Sequence, residues 1–217
     1  MPILPSVTAL LTLDLAAVAV FAITGALTAS RKQMDVFGFA LLGTVTGIGG
    51  GTVRDLLLGL PVFWVREPTY LVVCLIAATL TFFTAHLVDS RYRLVLWLDA
   101  VGLAAVAVIG ADKALDHGAS ALVAVTMGVI TGAFGGIIRD VLGGESPLVL
   151  RRDVYVTAAL LAAIVYVAAI ALGLSSAAAA GAGFASGFAL RGLAIHYRLS
   201  LPVYRPRRAR SPEELGL

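Results

Sequence analysis

Residues 43–55 read GTVTGIGGGTVRD and residues 128–140 read GVITGAFGGIIRD, so one unusual segment occurs twice. Gly43, Thr46, Gly47, Gly50, Gly51, Arg54 and Asp55 recur as Gly128, Thr131, Gly132, Gly135, Gly136, Arg139 and Asp140, each pair 85 positions apart without a gap. The match reaches further at the same offset. Leu13-Asp14 returns as Leu98-Asp99, Gly25 as Gly110, Gly59 as Gly144, Arg66 as Arg151 and Tyr70 as Tyr155. A chain built this way must fold as two copies of one unit.

The solvent of that fold follows from the residues between the repeats. Charged residues make up 13% of the chain and hydrophobic ones 59%, with a mean hydropathy of +0.96. A soluble domain carries about 25% charged residues, so polar surface is too scarce here and lipid must cover the remainder. The apolar residues come in unbroken runs, which selects helices over a β-barrel. At roughly 20 residues per crossing, seven spans are expected: Val7–Ala29, Val36–Leu58, Thr69–Val88, Val95–Ala111, Ser120–Leu142, Val154–Leu172 and Ala177–Ile195. The predicted architecture is all-α and polytopic, one transmembrane domain over residues 1–197. Repeat one covers about 7–88, repeat two about 95–172, and a seventh helix, at about 177–195, lies outside the duplication. Three helices per unit is odd, so the second copy enters the membrane from the opposite side, as an inverted repeat. The first run has no basic segment before it, so it reads as a retained helix and not a cleaved signal.

Basic residues set the orientation. Arg54, Arg66 and Lys113 fall in the loops on the side of the N-terminus. The other thirteen of the 16 (Arg31, Lys32, Arg91, Arg93, Arg139, Arg151, Arg152, Arg191, Arg198, Arg205, Arg207, Arg208 and Arg210) fall on the opposite side. The N-terminus is therefore expected outside and the C-terminus in the cytoplasm, with the chain crossing the inner (plasma) membrane of the cell several times. Residues 198–217 read as a basic cytoplasmic tail without fixed structure. The basic residues are spread along loops with no nucleic-acid-binding pattern, so no nucleic-acid partner is expected.

The chemistry concentrates in the duplicated segment. Gly47, Gly49, Gly50 and Gly51, with Gly132, Gly135 and Gly136, lie beside Thr46 and Thr131 inside apolar spans. Glycine costs about 1 kcal/mol relative to alanine in a helix. Consecutive glycines read first as breaks in the second and fifth helices, whose freed carbonyls replace water around a permeating cation. The alternative is close helix packing through small residues. Arg54-Asp55 and Arg139-Asp140 follow one turn later, as pathway electrostatics or as structural clamps. Asp14 and Asp99 are expected near helix starts, where they interact with the helix N-terminus or concentrate cations at two mouths. Lys113 reads as a snorkelling interfacial lysine or an ion-sensitive group.

Little else suggests a site. Cys74 is a lone cysteine, and His86, His117 and His196 lack metal-ligand spacing. No catalytic triad, nucleotide-binding lysine or metal cluster is present, so neither an enzyme nor a cofactor or metal site is expected. The segment GGGTVRD resembles a phosphate cradle only in isolation, since it is buried in an apolar span. A lipid headgroup near Arg54 or the cytoplasmic arginines is a further partner. In the last span Ala179, Gly183 and Gly187 form a small-residue packing face.

The duplicated GGG-xx-RD element, the leading Leu-Asp of each unit, Asp35-Val36-Phe37-Gly38 and the 3+3+1 helix plan together resemble the bacterial and archaeal members of the trimeric intracellular cation channel family. Domains of this type are also called glycine transporters. The resemblance covers about residues 8–195. It implies a homotrimer with an hourglass pore in each protomer, permeable to potassium and other monovalent cations. Gly49–Gly51 and Gly135–Gly136 would line that pore as helix breaks. Two departures stand out. The second copy has Phe134-Gly135-Gly136 where the first has Gly49-Gly50-Gly51, and the basic lipid-binding motif of animal members is missing from the second helix. Three functions follow in order of fit: a potassium-permeable channel, an alternating-access transporter of glycine or a similar small amino acid, and an assembly protein using its glycines only for packing.

Overall fold

A computed structural model describes residues 5–202 apart from residue 152, with side chains from residue 12 onward. Arg152, the tail arginines Arg205, Arg207, Arg208 and Arg210, and most of the expected cytoplasmic tail lie outside the described residues. The described helices are α1 (Pro5–Arg31), α2 (Val36–Leu57), the short α3 (Phe63–Arg66), α4 (Thr69–Thr84), α5 (Arg91–Asp116), α6 (Ala121–Leu142), α7 (Val156–Ala171) and α8 (Ser176–Tyr197). Among the described residues, six helices are long and apolar enough to cross a membrane. The seventh expected span, α7, is a 16-residue apolar helix, about 24 Å long at 1.5 Å per residue. The chain is a multi-pass helical membrane protein.

Helix ends follow local chemistry that also repeats at the 85-residue offset. Asp35 caps α2 by accepting the Gly38 N–H at 2.8 Å, and Ser120 caps α6 by accepting the Val123 N–H at 3.5 Å. Past the other ends, Gly59 and Gly144 adopt φ of 68° and 65°, left-handed values that glycine takes without strain. The N–H after each then returns to an aspartate carbonyl, Leu60 to Asp55 and Glu145 to Asp140, both at 2.8 Å.

Packing inverts the size pattern of a soluble core. On α4, Cys74, Ala77 and Ala78 are buried while Val72, Leu75, Ile76, Leu80 and Phe83 are exposed. On α7, Ala158, Ala159, Ala162 and Ala163 face inward and Leu160 and Ile164 outward. Small inward faces let backbones approach, and large outward side chains suit lipid. Helices α1, α2 and α4 pack together, as do α5, α6 and α7, and the groups meet along α2–α6 and α1–α5. Helix α8 lies outside both, with Gly183 and Gly187 against the Ala162 and Ala158 carbonyls of α7.

The expected breaks in the second and fifth spans do not occur. Helix α2 is continuous through Gly47–Gly51, and α6 through Gly132–Gly136. The missing side chains serve close approach instead. A Cβ on Gly50 would overlap the Thr131 carbonyl, and a Cβ on Gly135 would stand 2.7 Å from the Thr46 carbonyl oxygen. These two contacts are the same pair with the copies exchanged, which is the reciprocity that a two-fold axis produces. Gly43 and Gly128 likewise face the Ala22 and Ala107 carbonyls, and Gly47 and Gly132 those of Val18 and Leu103.

Candidate functional site

At the α2–α6 crossing lies a narrow cleft of about 20 Å³, room for roughly one water molecule. Asp14, Thr46, Gly47, Gly50, Gly51, Arg54, Thr131 and Gly135 all line it, with Val18, Phe21, Val106 and Phe63. Thr46 and Thr131 turn their hydroxyl protons back to their own helices, donating to the Leu42 and Met127 carbonyls at 2.5 and 2.6 Å. Their oxygen lone pairs remain as acceptors. Gly49, Gly132 and Gly136 do not line the cleft. They pack against Ile138, Leu103 and the Tyr155 hydroxyl.

The two Arg-Asp pairs share a frame and differ in role. In each, the arginine Nε donates to the next aspartate, Arg54 to Asp55 at 2.8 Å and Arg139 to Asp140 at 2.9 Å. Each aspartate also accepts a backbone N–H eight residues on, from Phe63 and Leu148, both at 2.9 Å. The carboxylates thus fold the following loop back onto the helix end. The second arginine goes further. Arg139 Nη1 donates to Asp99 Oδ1 at 2.6 Å and to the Thr24 hydroxyl at 3.1 Å, and Arg139 is 1% exposed. That is a buried clamp joining α6, α5 and α1. In the first copy Asp14 accepts instead from the Tyr70 hydroxyl at 2.7 Å. Among the described residues Arg54 therefore has no second carboxylate, and both Asp14 and Arg54 remain on the cleft wall.

Three expectations from the sequence are corrected here. Asp14 and Asp99 lie well inside α1 and α5, beyond the first turn where a helix dipole acts. Asp99 is fully buried by its arginine and stands at no mouth. Lys113 is not a free snorkelling residue. Helix α5 continues to Asp116, through residues expected in a loop, and brings Lys113 Nζ to 3.0 Å from Asp55 Oδ1. Asp55 keeps Arg54 and the Phe63 N–H when this lysine is lost, so Lys113→Met should cost about 1 kcal/mol or less. Thermal unfolding in detergent checks that value.

Some contributors gave little signal in the sequence. Phe63 lines both the cleft and a cavity of about 310 Å³ that also reaches Arg66, Tyr70, Lys113 and His117. The Arg54 guanidinium lies 5.7 Å and Lys113 Nζ 5.9 Å from its ring centroid. Its counterpart in the second copy is Leu148, so the repeat did not mark it. Thr24 corresponds to Ile109 and was equally unmarked. Among the described residues no group of histidine, cysteine or carboxylate side chains could hold a metal ion.

Such a helical membrane fold, duplicated around a glycine crossing with ionisable residues on one small cleft, is of a membrane-transport class. The glycine transporter family model matches twice, over residues 11–86 and 96–171, again offset by 85. A UPF0126 membrane protein of Vibrio cholerae is 48% identical over 88% of this chain and 81% of its own length. The Escherichia coli UPF0126 inner membrane protein YadS is 45% identical over 88% of this chain and 94% of its own. A solved trimeric intracellular cation channel orthologue from Rhodobacter sphaeroides is 55% identical, with a TM-score of 0.86 over 88% of this chain and 100% of that one. A prokaryotic channel of the same kind, crystallised in 0.5 M KCl, is 31% identical with a TM-score of 0.83, covering 89% and 99%. The chain belongs to the trimeric intracellular cation channel family.

Proposed function

We propose that this protein is a potassium-permeable channel for monovalent cations, with one pathway in each protomer of a homotrimer, running between α2 and α6. The observation that carries the proposal is the cleft itself. It gathers Asp14, Thr46, Thr131 and Arg54 at a glycine crossing, in a chain whose solved relatives are described as cation channels. The reciprocal Gly50–Thr131 and Gly135–Thr46 contacts and the twofold family match support two inverted three-helix units. The basic residues support an N-terminus outside and a C-terminus in the cytoplasm. The relative described as an inner membrane protein supports that location, within lipid.

Continuous helices change the expected mechanism. The backbone carbonyls of α2 and α6 are engaged within their helices, so hydroxyl and carboxylate oxygens of Thr46, Thr131 and Asp14 take the place of a water shell. The glycines set how closely the two helices approach. A cleft with room for one water is a constriction, and conduction requires α2 and α6 to separate there. Asp14 draws cations to the constriction and Arg54 raises a barrier beside it. The carrier reading of the same repeat gains nothing from the solved relatives.

Potassium efflux from proteoliposomes tests the proposal. Efflux should need no coupling ion, and Asp14→Asn should slow it by about two- to fivefold at low ionic strength, less as salt screens the charge. Saturable uptake of labelled glycine without potassium efflux would instead establish a carrier.

A further inference from the structure

Among the described residues three arginines are buried, and two of them have carboxylate partners. Arg54 and Arg139, 3% and 1% exposed, each hold an aspartate within 2.9 Å. Arg191, on α8, is 2% exposed and makes no ion pair among the described residues. Its Nη1 reaches the Val154 carbonyl at a long 3.4 Å, its guanidinium lies over the Tyr155 ring at 5.2 Å, and its Nε has no hydrogen-bond partner among the described residues. A buried cation left this way is costly, and native structures rarely keep one without a counter-ion.

Arg191 lines a cavity of about 670 Å³ between the first turns of α5 and the last turns of α8. Arg93 and Arg198 line it too, with Trp97 on an apolar wall and Asp153 as a carboxylate on the rim. Arg198 caps α8 at φ 53°, a left-handed position usually given to glycine or asparagine. An arginine there sets a guanidinium at the cavity edge. The cavity is distant in sequence from the cleft and shares no lining residue with it.

We infer that this cavity is a binding site for a phosphate-type oxyanion, held by Arg191 at its base and by Arg93 and Arg198 at its rim. Guanidinium groups pair with phosphate through parallel N–H donors. A basic pocket between membrane helices with an aromatic wall fits a phospholipid headgroup, and free phosphate offers the same chemistry. The unpaired Nε of Arg191 is the donor that such an anion satisfies.

Tryptophan emission of the purified full chain reports binding, because Trp97 lines the cavity and Trp64→Phe removes the other indole. Two probes are titrated separately, short-chain phosphatidylglycerol below its micelle concentration and inorganic phosphate. A saturable response to either supports the site. Response to the lipid alone assigns a headgroup, and displacement of the lipid by phosphate assigns the free anion. Arg191→Gln should weaken binding about tenfold or more, the scale of one charge-assisted pair. If that variant fails to fold, Arg198→Gln and Arg93→Gln decide, since both sit at the rim and each should weaken binding several-fold. No saturable response to either probe, or affinity unchanged in the folded variants, overturns the inference.

Discussion

Arg139→Met is expected to leave little folded protein, whereas Arg54→Met should fold. The difference follows from what each arginine leaves behind. Without Arg139, among the described residues Asp99 is fully buried with no cation, and Asp140, 4% exposed, keeps only the Leu148 N–H. Removing one partner of a buried pair costs about 3–5 kcal/mol, because the other charge stays behind unpaired. Without Arg54, Asp55 still has Lys113 at 3.0 Å and the Phe63 N–H at 2.9 Å. Its loss should cost about 1.5–2 kcal/mol, the lower part of the range of a hydrogen bond to a charged group. Adding Asp99→Asn to Arg139→Met should recover part of the loss, since one of the two stranded charges disappears. Size-exclusion profiles and apparent melting temperatures in detergent read all four proteins. Equal loss in the two single variants would refute the division of roles between the arginines.

Gly50→Ala is the second large effect. The added Cβ would overlap backbone atoms of Thr131, which cannot turn aside as a flexible side chain can. Overpacking of a well-packed contact costs typically 1–3 kcal/mol, and a backbone clash belongs at about the upper end. Gly135→Ala meets the Thr46 carbonyl oxygen at 2.7 Å and should cost less, about 2 kcal/mol. Gly181→Ala on α8 meets nothing within 4 Å. It should be neutral or gain up to about 1 kcal/mol from helix propensity. The order Gly50, Gly135, Gly181 in melting temperature is the expected result. A Gly50→Ala protein as stable as Gly181→Ala would mean that the helices do not meet as described.

The duplication, the helical class and most helix ends were legible in the sequence, because hydrophobic runs and the polar or turn-forming residues between them are local signals. The role of the glycine triplet was not. A broken helix and two continuous helices in close contact both require missing side chains, and one strand of sequence does not contain the neighbour that decides. Thr131 is that neighbour for Gly50, and it lies across the pseudo-symmetric contact. Asp14 and Asp99 occupy equivalent positions, yet one accepts from Tyr70 and the other pairs with Arg139. Identical residues thus acquire different roles through tertiary partners. Polar residues after the apolar run put Lys113 in a loop by sequence, but α5 continues for another turn and delivers it to Asp55. Arg191 read only as one more positive charge on the cytoplasmic side, since nothing local shows whether an arginine has a partner.

The central claim is a cation pathway at the α2–α6 crossing, and recording of the purified protein in a planar bilayer across a potassium gradient tests it most directly. Discrete unitary currents reversing near the potassium potential, and smaller in Asp14→Asn, are the predicted result. Unitary currents of the same size in Asp14→Asn, or silence across all voltages in folded trimers, would contradict it.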